Sequence, residues 1–323
     1  MRRAIVRGTG HYLPERVVEN SWFEDKLDTT DEWIRARTGI ERRHFAAEGQ
    51  RTSDLGTRAA QAALAKAGLT PADIDAVIVA TSTPDLTFPS VATMVQAGLG
   101  MTRGFAYDIQ AVCAGFVFAL ANADAMIRAG LAERVLVIGA ETFSRIMDWT
   151  DRGTCVLFGD GAGAVVLEAA EGAGTAQDRG ILATDLNSDG QYRELLYVDG
   201  GVASTGTAGH LRMQGNLVFR HAVEKLAETA HHALDKAGIA TEEVDWLVPH
   251  QANLRIIEAT AKRMHLPMEK VVLTVADHGN TSAASIPLAL SVADSQGRFK
   301  PGDVLVAEAI GGGLAWGAAV LRW

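Results

Sequence analysis

The stretch ALAKAGLTPADIDAVIVA at residues 63–80 recurs in shortened form as ALDKAGIATEEVDWLV at residues 233–248. Each copy has the pattern of a helix end, a glycine stop, an acidic turn and a buried strand. The copies begin at residues 63 and 233, which are 170 residues apart. A second pair, RVLVIG at 134–139 and DVLVA at 303–307, has nearly the same offset. The sequence therefore predicts that one α/β unit has been duplicated.

Continuous apolar strands alternate with helical patterns along both copies, which predicts an α/β fold with a buried sheet and covering helices in each half. The Gly/Ala-rich stretch at 169–174 places the predicted boundary between residues 1–171 and 172–323. The polar, glycine-rich segment from Asn187 to Gly209 is expected to be a surface excursion.

Composition narrows the class of protein. A chain of 323 residues with 48% hydrophobic content buries a large core in one or two domains. A net charge of −9 argues against a nucleic-acid surface, although a local basic patch for an acidic partner stays open. Two cysteines make no disulfide framework, so a reducing, cytoplasmic setting is expected. No apolar stretch reaches membrane-spanning length, and no spacing of histidines or cysteines predicts a metal site.

Three side chains point to covalent acyl chemistry. Cys113 stands between the extended stretch 104–110 and a small-residue helical run, where helix N–H groups stabilise a thiolate. His250 follows Pro249 at a strand end, and Asn280 precedes another small-residue helix. The offset of 167 between residues 113 and 280 is close to the repeat, so both loops are expected to face one cleft.

Other features have simpler interpretations. Cys155 falls in the apolar run 154–158 and is predicted to be a buried strand residue, while His278 ranks below His250 as a base because its surroundings indicate a turn. GDGAGA at 159–164 precedes an apolar strand rather than a helix, so it is predicted to be a turn with close packing and not a nucleotide loop. Gly311–Gly313 either forms a tight turn or lets a backbone N–H approach a ligand.

Four motifs in order resemble one family. They are DIQAVCAGF around Cys113, HQANLRI from His250, HGNTSAAS around Asn280, and GGGLAWG from Gly311. Together with DEWIRARTGI at 31–40 they resemble β-ketoacyl-acyl-carrier-protein synthase III over essentially the whole chain. The resemblance implies a thiolase-like fold, in which two duplicated halves form a five-layered αβαβα arrangement, and a homodimer.

The resemblance implies initiation of fatty acid synthesis by decarboxylating condensation of a short acyl-CoA, with acetyl-CoA expected, and malonyl-acyl-carrier protein. Cys113 would accept the acyl group, and His250 and Asn280 would stabilise the enolate of the decarboxylated malonyl group. The N–H groups of Cys113 and Gly312 would form the oxyanion hole. Acyl-CoA enters as a substrate, and no cofactor is expected.

The remaining implied roles concern binding. Trp33 would stack on the CoA adenine, with Arg37 and Arg152 near its phosphates. Phe88 would close the acyl pocket of the partner subunit, and Leu314, where an aromatic residue is expected, would change the shape of the neighbouring cavity. By default, a run of basic residues on a helix is interpreted as a solvated face. The resemblance instead implies that these residues form the family's patch for the acidic carrier protein: Arg220, Arg255, Lys262 and Arg263.

Several alternatives remain open at this point. A starter-unit condensing enzyme of secondary metabolism would share the mechanism and differ in its acyl-CoA. A thiolase would need a second cysteine as base, and only Cys155 is available. A non-catalytic carrier-protein scaffold conflicts with the intact Cys, His and Asn. The only feature that would favour a dehydrogenase is the glycine-rich segment at 159–164.

Overall fold

The computed structural model describes all residues from Met1 to Trp323. The strands are β1 (Arg2–Tyr12), β2 (Arg16–Glu19), β3 (Arg42–Phe45), β4 (Ala76–Ala80), β5 (Phe105–Ile109), β6 (Arg134–Thr142), β7 (Asp160–Glu171), β8 (Gly180–Ser188), β9 (Leu196–Val198), β10 (Leu211–Met213), β11 (Trp246–Pro249), β12 (Val304–Gly311) and β13 (Ala315–Arg322). The helices are α1 (Ser21–Glu24), α2 (Asp31–Thr38), α3 (Thr52–Ala67), α4 (Val91–Gly98), α5 (Gly115–Arg128), α6 (Gly215–Ala237), α7 (Leu254–Arg263), α8 (Val275–His278) and α9 (Ser285–Ser295).

The two main sheets repeat one topology. The first has the order β1-β7-β6-β4-β5, and the second has the order β11-β12-β13-β8. In each sheet a parallel pair, β4 with β6 and β11 with β12, continues into two antiparallel strands. The second sheet has only an isolated parallel bridge, Leu247 to Val271, where the first has β5. The predicted duplication is therefore visible in strand order and direction, while the division at residue 171 stays a prediction.

Helices cover both sheets and separate them. Helix α3 packs on one face of the first sheet and α6 on one face of the second, while α5 and α9 each contact strands of both sheets. The core between the sheets consists mainly of small and branched side chains from these central helices and from strands of both sheets. Five layers result, in the order helix, sheet, helix, sheet, helix, which is the predicted thiolase-like arrangement. No helix is both long enough and apolar enough to span a bilayer.

The helix stops predicted from the repeat have a backbone cause. Helices α3 and α6 end at Gly68 and Gly238, whose φ angles of 68° and 67° are left-handed. Glycine has no Cβ to oppose that conformation, and in both helices its N–H closes the last turn. The fully buried strand β4 follows the first stop and β11 follows the second, as the sequence predicts.

The same symmetry relates the two turns that precede the central helices. Val112 and Ser282, which are 170 residues apart, both have a φ of 49°, an unusual value for residues other than glycine. Each begins a 3-10 turn that leads into a central helix, α5 or α9. The residue equivalent to Cys113 is therefore Ala283, and Asn280 lies three residues before it in the companion loop.

Two local predictions were wrong. Residues 154–157 form a turn and not a strand, since the N–H groups of Thr154 and Cys155 both donate to the carbonyl of Asp151, and Phe158 makes only an isolated bridge to Asn280. An apolar run of five residues does not distinguish a buried turn from a strand. The glycines of 159–164 lie mostly within β7 and not in a turn. Their close packing is confirmed, because a Cβ on Gly163 would lie 2.4 Å from the backbone nitrogen of Leu288.

Candidate active site

One cavity of about 440 Å³ brings the three predicted chemical side chains together. Cys113 precedes α5, His250 follows β11, and Asn280 precedes α9, and all three line this cavity. Each comes from a loop at the end of a strand or the start of a central helix, so the layered fold fixes their relative positions. His278 does not line the cavity.

The Cys113 thiol is almost completely buried at the N-terminal end of α5. Burial raises the pKa of this thiol to about 12, and the Glu141 carboxylate adds to that rise. The side chain of Ser282 and the N–H of Cys113 itself oppose it. Burial therefore opposes the thiolate stabilisation that the sequence analysis expected from the N-terminus of α5.

His250 is held by Ser285, a residue that the sequence analysis did not single out. The Ser285 hydroxyl lies 2.6 Å from His250 Nδ1 and accepts a hydrogen bond from the Gln251 N–H at 3.3 Å. Since no other acceptor is present for its hydrogen, the hydroxyl donates to Nδ1, and the ring proton belongs on Nε2. Burial lowers the pKa of His250 to about 3, so the ring is a neutral hydrogen-bond donor.

Asn280 is oriented by the residue two positions further on. The Ser282 N–H donates to Asn280 Oδ1 at 2.9 Å. The backbone of Asn280 is bonded on both sides, because its N–H donates to Leu157 and its carbonyl accepts from Gly159. With the amide oxygen engaged, the Nδ2 hydrogens are left as the donors that Asn280 offers to the cavity.

The triple-glycine loop lies against the Cys113 turn. A Cβ on Gly311 would lie 2.6 Å from the Cys113 backbone nitrogen, and one on Gly312 would lie 2.6 Å from the carbonyl oxygen of Leu196. Side chains at either position would push the loop away from the nucleophile. The N–H groups of Cys113 and Gly312 donate to no backbone carbonyl. Both remain available to a developing oxyanion.

A fully buried carboxylate lies behind the nucleophile. Glu141, near the end of β6, accepts hydrogen bonds from Thr81, Ser82, Thr83 and Ser282. Burial raises its pKa to about 7 despite these donors. The sequence analysis did not identify Glu141, although one signal was present, since a charged residue interrupts the end of an otherwise apolar strand.

The predicted CoA-binding residues form the mouth of the cavity. The guanidinium carbons of Arg37 and Arg152 lie 4.7 Å and 5.0 Å from the centre of the Trp33 ring, and all three residues line the cavity. Arg152 also bonds the backbone and carboxylate of Asp28. An aromatic face flanked by two cations suits a ligand that carries both a flat ring and phosphates.

The other predicted residues lie away from the cavity floor. Phe88 is 82% exposed and does not line this cavity. Leu314 is completely buried. It lies beside the cavity, in a cluster with Leu226 and Ile256 under α6 and α7. The four predicted carrier-protein residues are exposed and make no ion pair, and Arg255 reaches the cavity lining: Arg220, Arg255, Lys262 and Arg263.

Comparison with known proteins agrees with this geometry. Residues 107–190 match the family model described as 3-oxoacyl-(acyl-carrier-protein) synthase III, and residues 234–323 match the model of its C-terminal part. The chain is 90% identical to beta-ketoacyl-(acyl-carrier-protein) synthase III of Paracoccus denitrificans, with 100% of both chains covered. It is 78% identical to the Rhodobacter capsulatus protein of that name, with 99% of both covered. The crystal structure of 3-oxoacyl-(acyl-carrier-protein) synthase III from Aquifex aeolicus VF5 superposes with a TM-score of 0.93 at 46% identity, covering 99% of this chain and 100% of that one.

Proposed function

Because the chain belongs to the 3-oxoacyl-(acyl-carrier-protein) synthase III family, we propose that it catalyses the condensation that initiates fatty acid synthesis. The substrates are a short acyl-CoA, with acetyl-CoA expected, and malonyl-acyl-carrier protein. The products are 3-oxoacyl-acyl-carrier protein, CoA and carbon dioxide. The observation that carries the proposal is the convergence of Cys113, His250 and Asn280 on one cavity.

In the first half-reaction the Cys113 sulfur attacks the thioester carbon of acyl-CoA. The carbonyl oxygen becomes an oxyanion, and the free N–H groups of Cys113 and Gly312 supply the hydrogen bonds that stabilise it. The C–S bond to CoA breaks, and the acyl group remains on Cys113 as a thioester, which keeps it activated for carbon–carbon bond formation.

In the second half-reaction malonyl-acyl-carrier protein enters and loses carbon dioxide. Electron density moves onto its thioester oxygen, where His250 Nε2–H and Asn280 Nδ2–H donate hydrogen bonds. Both donors are neutral and buried, so their hydrogen bonds stabilise the negative charge on the oxygen more strongly than they would in water. The carbanion then attacks the acyl-Cys113 carbonyl, and the Cys113 sulfur leaves. The reaction needs no cofactor, because acyl-CoA supplies the activated group.

The charge distribution around the cavity suits two acidic substrates. Arg37 and Arg152 at the mouth face the position proposed for CoA phosphates, beside the Trp33 ring. The unpaired cations Arg255, Lys262 and Arg263 on α7 lie where an acidic carrier protein would deliver its thioester. A local basic patch of this kind works despite the net charge of −9.

The proposal includes a homodimer. Strand β5 is the edge of the first sheet and pairs only with β4. All five of its residues are partly exposed, and Phe105 is 43% exposed. A second copy pairing with this edge would bury its unpaired backbone groups. The partner subunit's Phe88 would then close the acyl pocket.

Both cysteines are unpaired thiols. Since free thiols are typical of a reducing compartment, the proposed location of the protein is the cytoplasm.

Intact-protein mass spectrometry tests the chemistry directly. Incubation with acetyl-CoA should add one acetyl group, which peptide mapping should assign to Cys113. The group should leave as acetoacetyl-carrier protein forms after malonyl-acyl-carrier protein is added. Cys113→Ala should take up no acetyl group, whereas Cys155→Ala, the matched control, should still be acylated. If no acyl-CoA of any short or branched chain labels the protein, the covalent mechanism is refuted.

A further inference from the structure

Two irregular segments contribute to the lining of the cavity. The first, which we name the mouth turn, comprises residues 148–155 and supplies residues 151–154 of the lining. The second is the β9–β10 hairpin at 196–213, which supplies Leu196 and Met213. The mouth turn contains no regular helix or strand, so its conformation must be held by contacts with its surroundings.

Arg212 joins these two segments. Its Nη1 lies 2.7 Å from Asp148 Oδ2 in the mouth turn, and its Nε lies 2.7 Å from Asp199 Oδ2 in the hairpin. No other ion pair or hydrogen bond connects the mouth turn to the hairpin. The side chains of Arg212 and Asp148 are 37% and 22% exposed, so solvent screens this bridge only in part. Arg212 does not itself line the cavity, so it acts through the two segments.

At one end of the bridge, Asp148 organises the backbone of the mouth turn. Its Oδ1 accepts from the N–H of Thr150 at 3.1 Å and from the Thr150 hydroxyl at 2.6 Å. Its backbone carbonyl accepts from the N–H of Asp151 at 3.0 Å. Arg212 binds the other carboxylate oxygen, so the residue that closes the turn is the residue that the bridge anchors. Arg152, at the mouth of the cavity, follows directly on this closed turn.

At the other end of the bridge, Asp199 closes the base of the hairpin loop. Its N–H donates to the carbonyl of His210 at 3.0 Å, and its Oδ1 accepts from the N–H of His210 at 2.7 Å. Arg212 lies next to this base, in the strand pair of β9 and β10, opposite Tyr197. The neighbouring side chain of Leu211 is buried in the core of the second half. The hairpin is therefore a fixed support from which Arg212 can hold the mouth turn.

We propose that Arg212 is a positioning residue for acyl-CoA, because it holds the mouth turn in the conformation that places Arg152 beside the Trp33 ring. This inference rests on the proposed function, which assigns that place to CoA. A guanidinium suits the task, since its separate N–H groups reach the carboxylates of Asp148 and Asp199 together. Without the bridge, the cost of ordering the turn would fall on acyl-CoA binding, and affinity would drop while the chemical step at saturation would not change.

The test measures single-turnover acylation by acetyl-CoA at increasing concentration, with quenched samples read by intact mass. Arg212→Met should raise the acetyl-CoA concentration for half-saturation about fivefold, the effect of losing two partly exposed ion pairs, and should leave the maximal rate unchanged. Arg7→Met is the matched control, because it removes a similarly exposed ion pair with Glu168 away from the cavity. Acetyl-pantetheine, which has the same thioester and no nucleotide, should acylate the native protein and Arg212→Met equally.

A second variant separates positioning from direct attraction between Arg212 and the ligand. Asp148→Asn keeps an oxygen for Thr150 and removes the charge that Arg212 binds. It should weaken acetyl-CoA as Arg212→Met does, and the double variant should be no worse than either single variant.

Three results would overturn the proposal. They are an unchanged half-saturation in Arg212→Met, an equal loss with acetyl-pantetheine, and tighter acetyl-CoA binding in Asp148→Asn, which would mean that the Arg212 charge acts on the ligand itself. If the native protein takes an acetyl group from neither thioester, the proposed function fails instead.

Discussion

Replacing Glu308 with Gln should change how the stability of the protein depends on pH. Glu308 lies on β12, opposite Pro249 and Ala318, and is completely buried. Neither carboxyl oxygen has a hydrogen-bond partner, and the backbone carbonyl of Glu308 accepts from the His250 N–H at 2.8 Å. Burial alone raises the pKa of this carboxyl from 4.5 to about 8.

The magnitude follows from linkage. A carboxyl whose pKa is higher in the folded state contributes stability that is fully present below the unfolded value of 4.5 and is lost as the pH rises through about 8. That rise in pKa corresponds to a loss of about 5 kcal/mol in the free energy of unfolding. Between pH 5 and pH 9 the loss is about 4 kcal/mol, or roughly 6 °C in Tm for a chain of this length.

Thermal unfolding of the native protein and of Glu308→Gln at pH 5, 7 and 9 measures this effect. Gln has nearly the same shape and carries no charge, so any cost of its unpaired amide should not vary with pH. We expect the native Tm to fall relative to the variant by roughly 6 °C from pH 5 to pH 9. Glu258→Gln, the same change at an exposed position on α7, should show no such trend. A Tm difference between native and Glu308→Gln that changes by less than about 1 °C from pH 5 to pH 9 would refute the reasoning.

Three further predictions concern the proposed reaction. His250→Ala and Asn280→Ala should leave acylation of Cys113 nearly unchanged and slow decarboxylation and condensation by about 100-fold, because each removes one donor to the enolate oxygen; equal losses in both half-reactions, measured separately, would contradict this division. Arg255→Ala should raise KM for malonyl-acyl-carrier protein about tenfold while sparing acyl transfer from CoA, and Lys300→Ala, an exposed cation outside the patch, should do neither. Phe105→Lys should shift the protein from dimer to monomer in analytical ultracentrifugation, since a charge on an edge strand opposes pairing; a variant that remains dimeric would place the interface elsewhere.

Sequence reasoning was most successful where the chemistry is local. Gly68 and Gly238 end two equivalent helices, as the repeated glycine stop in the sequence predicted. It failed at residues 154–157, where apolar side chains fill a turn that the Asp151 carbonyl closes. It also did not anticipate the burial that raises the pKa of the Cys113 thiol, because the N-terminus of α5 is visible in the sequence and the loss of solvent around the sulfur is not.

The sequence by itself determined the duplication, the α/β class, and the loops that carry Cys113, His250 and Asn280. Those features depend on periodicity and on backbone preferences that neighbouring residues impose. Only the tertiary structure decided which side chains support them. Ser285 fixes the tautomer of His250 from 35 residues away, and Glu141 lies 141 residues from Ser282 along the chain. Contacts at such separations, and the burial that shifts each pKa, arise from packing between layers, which no local pattern encodes.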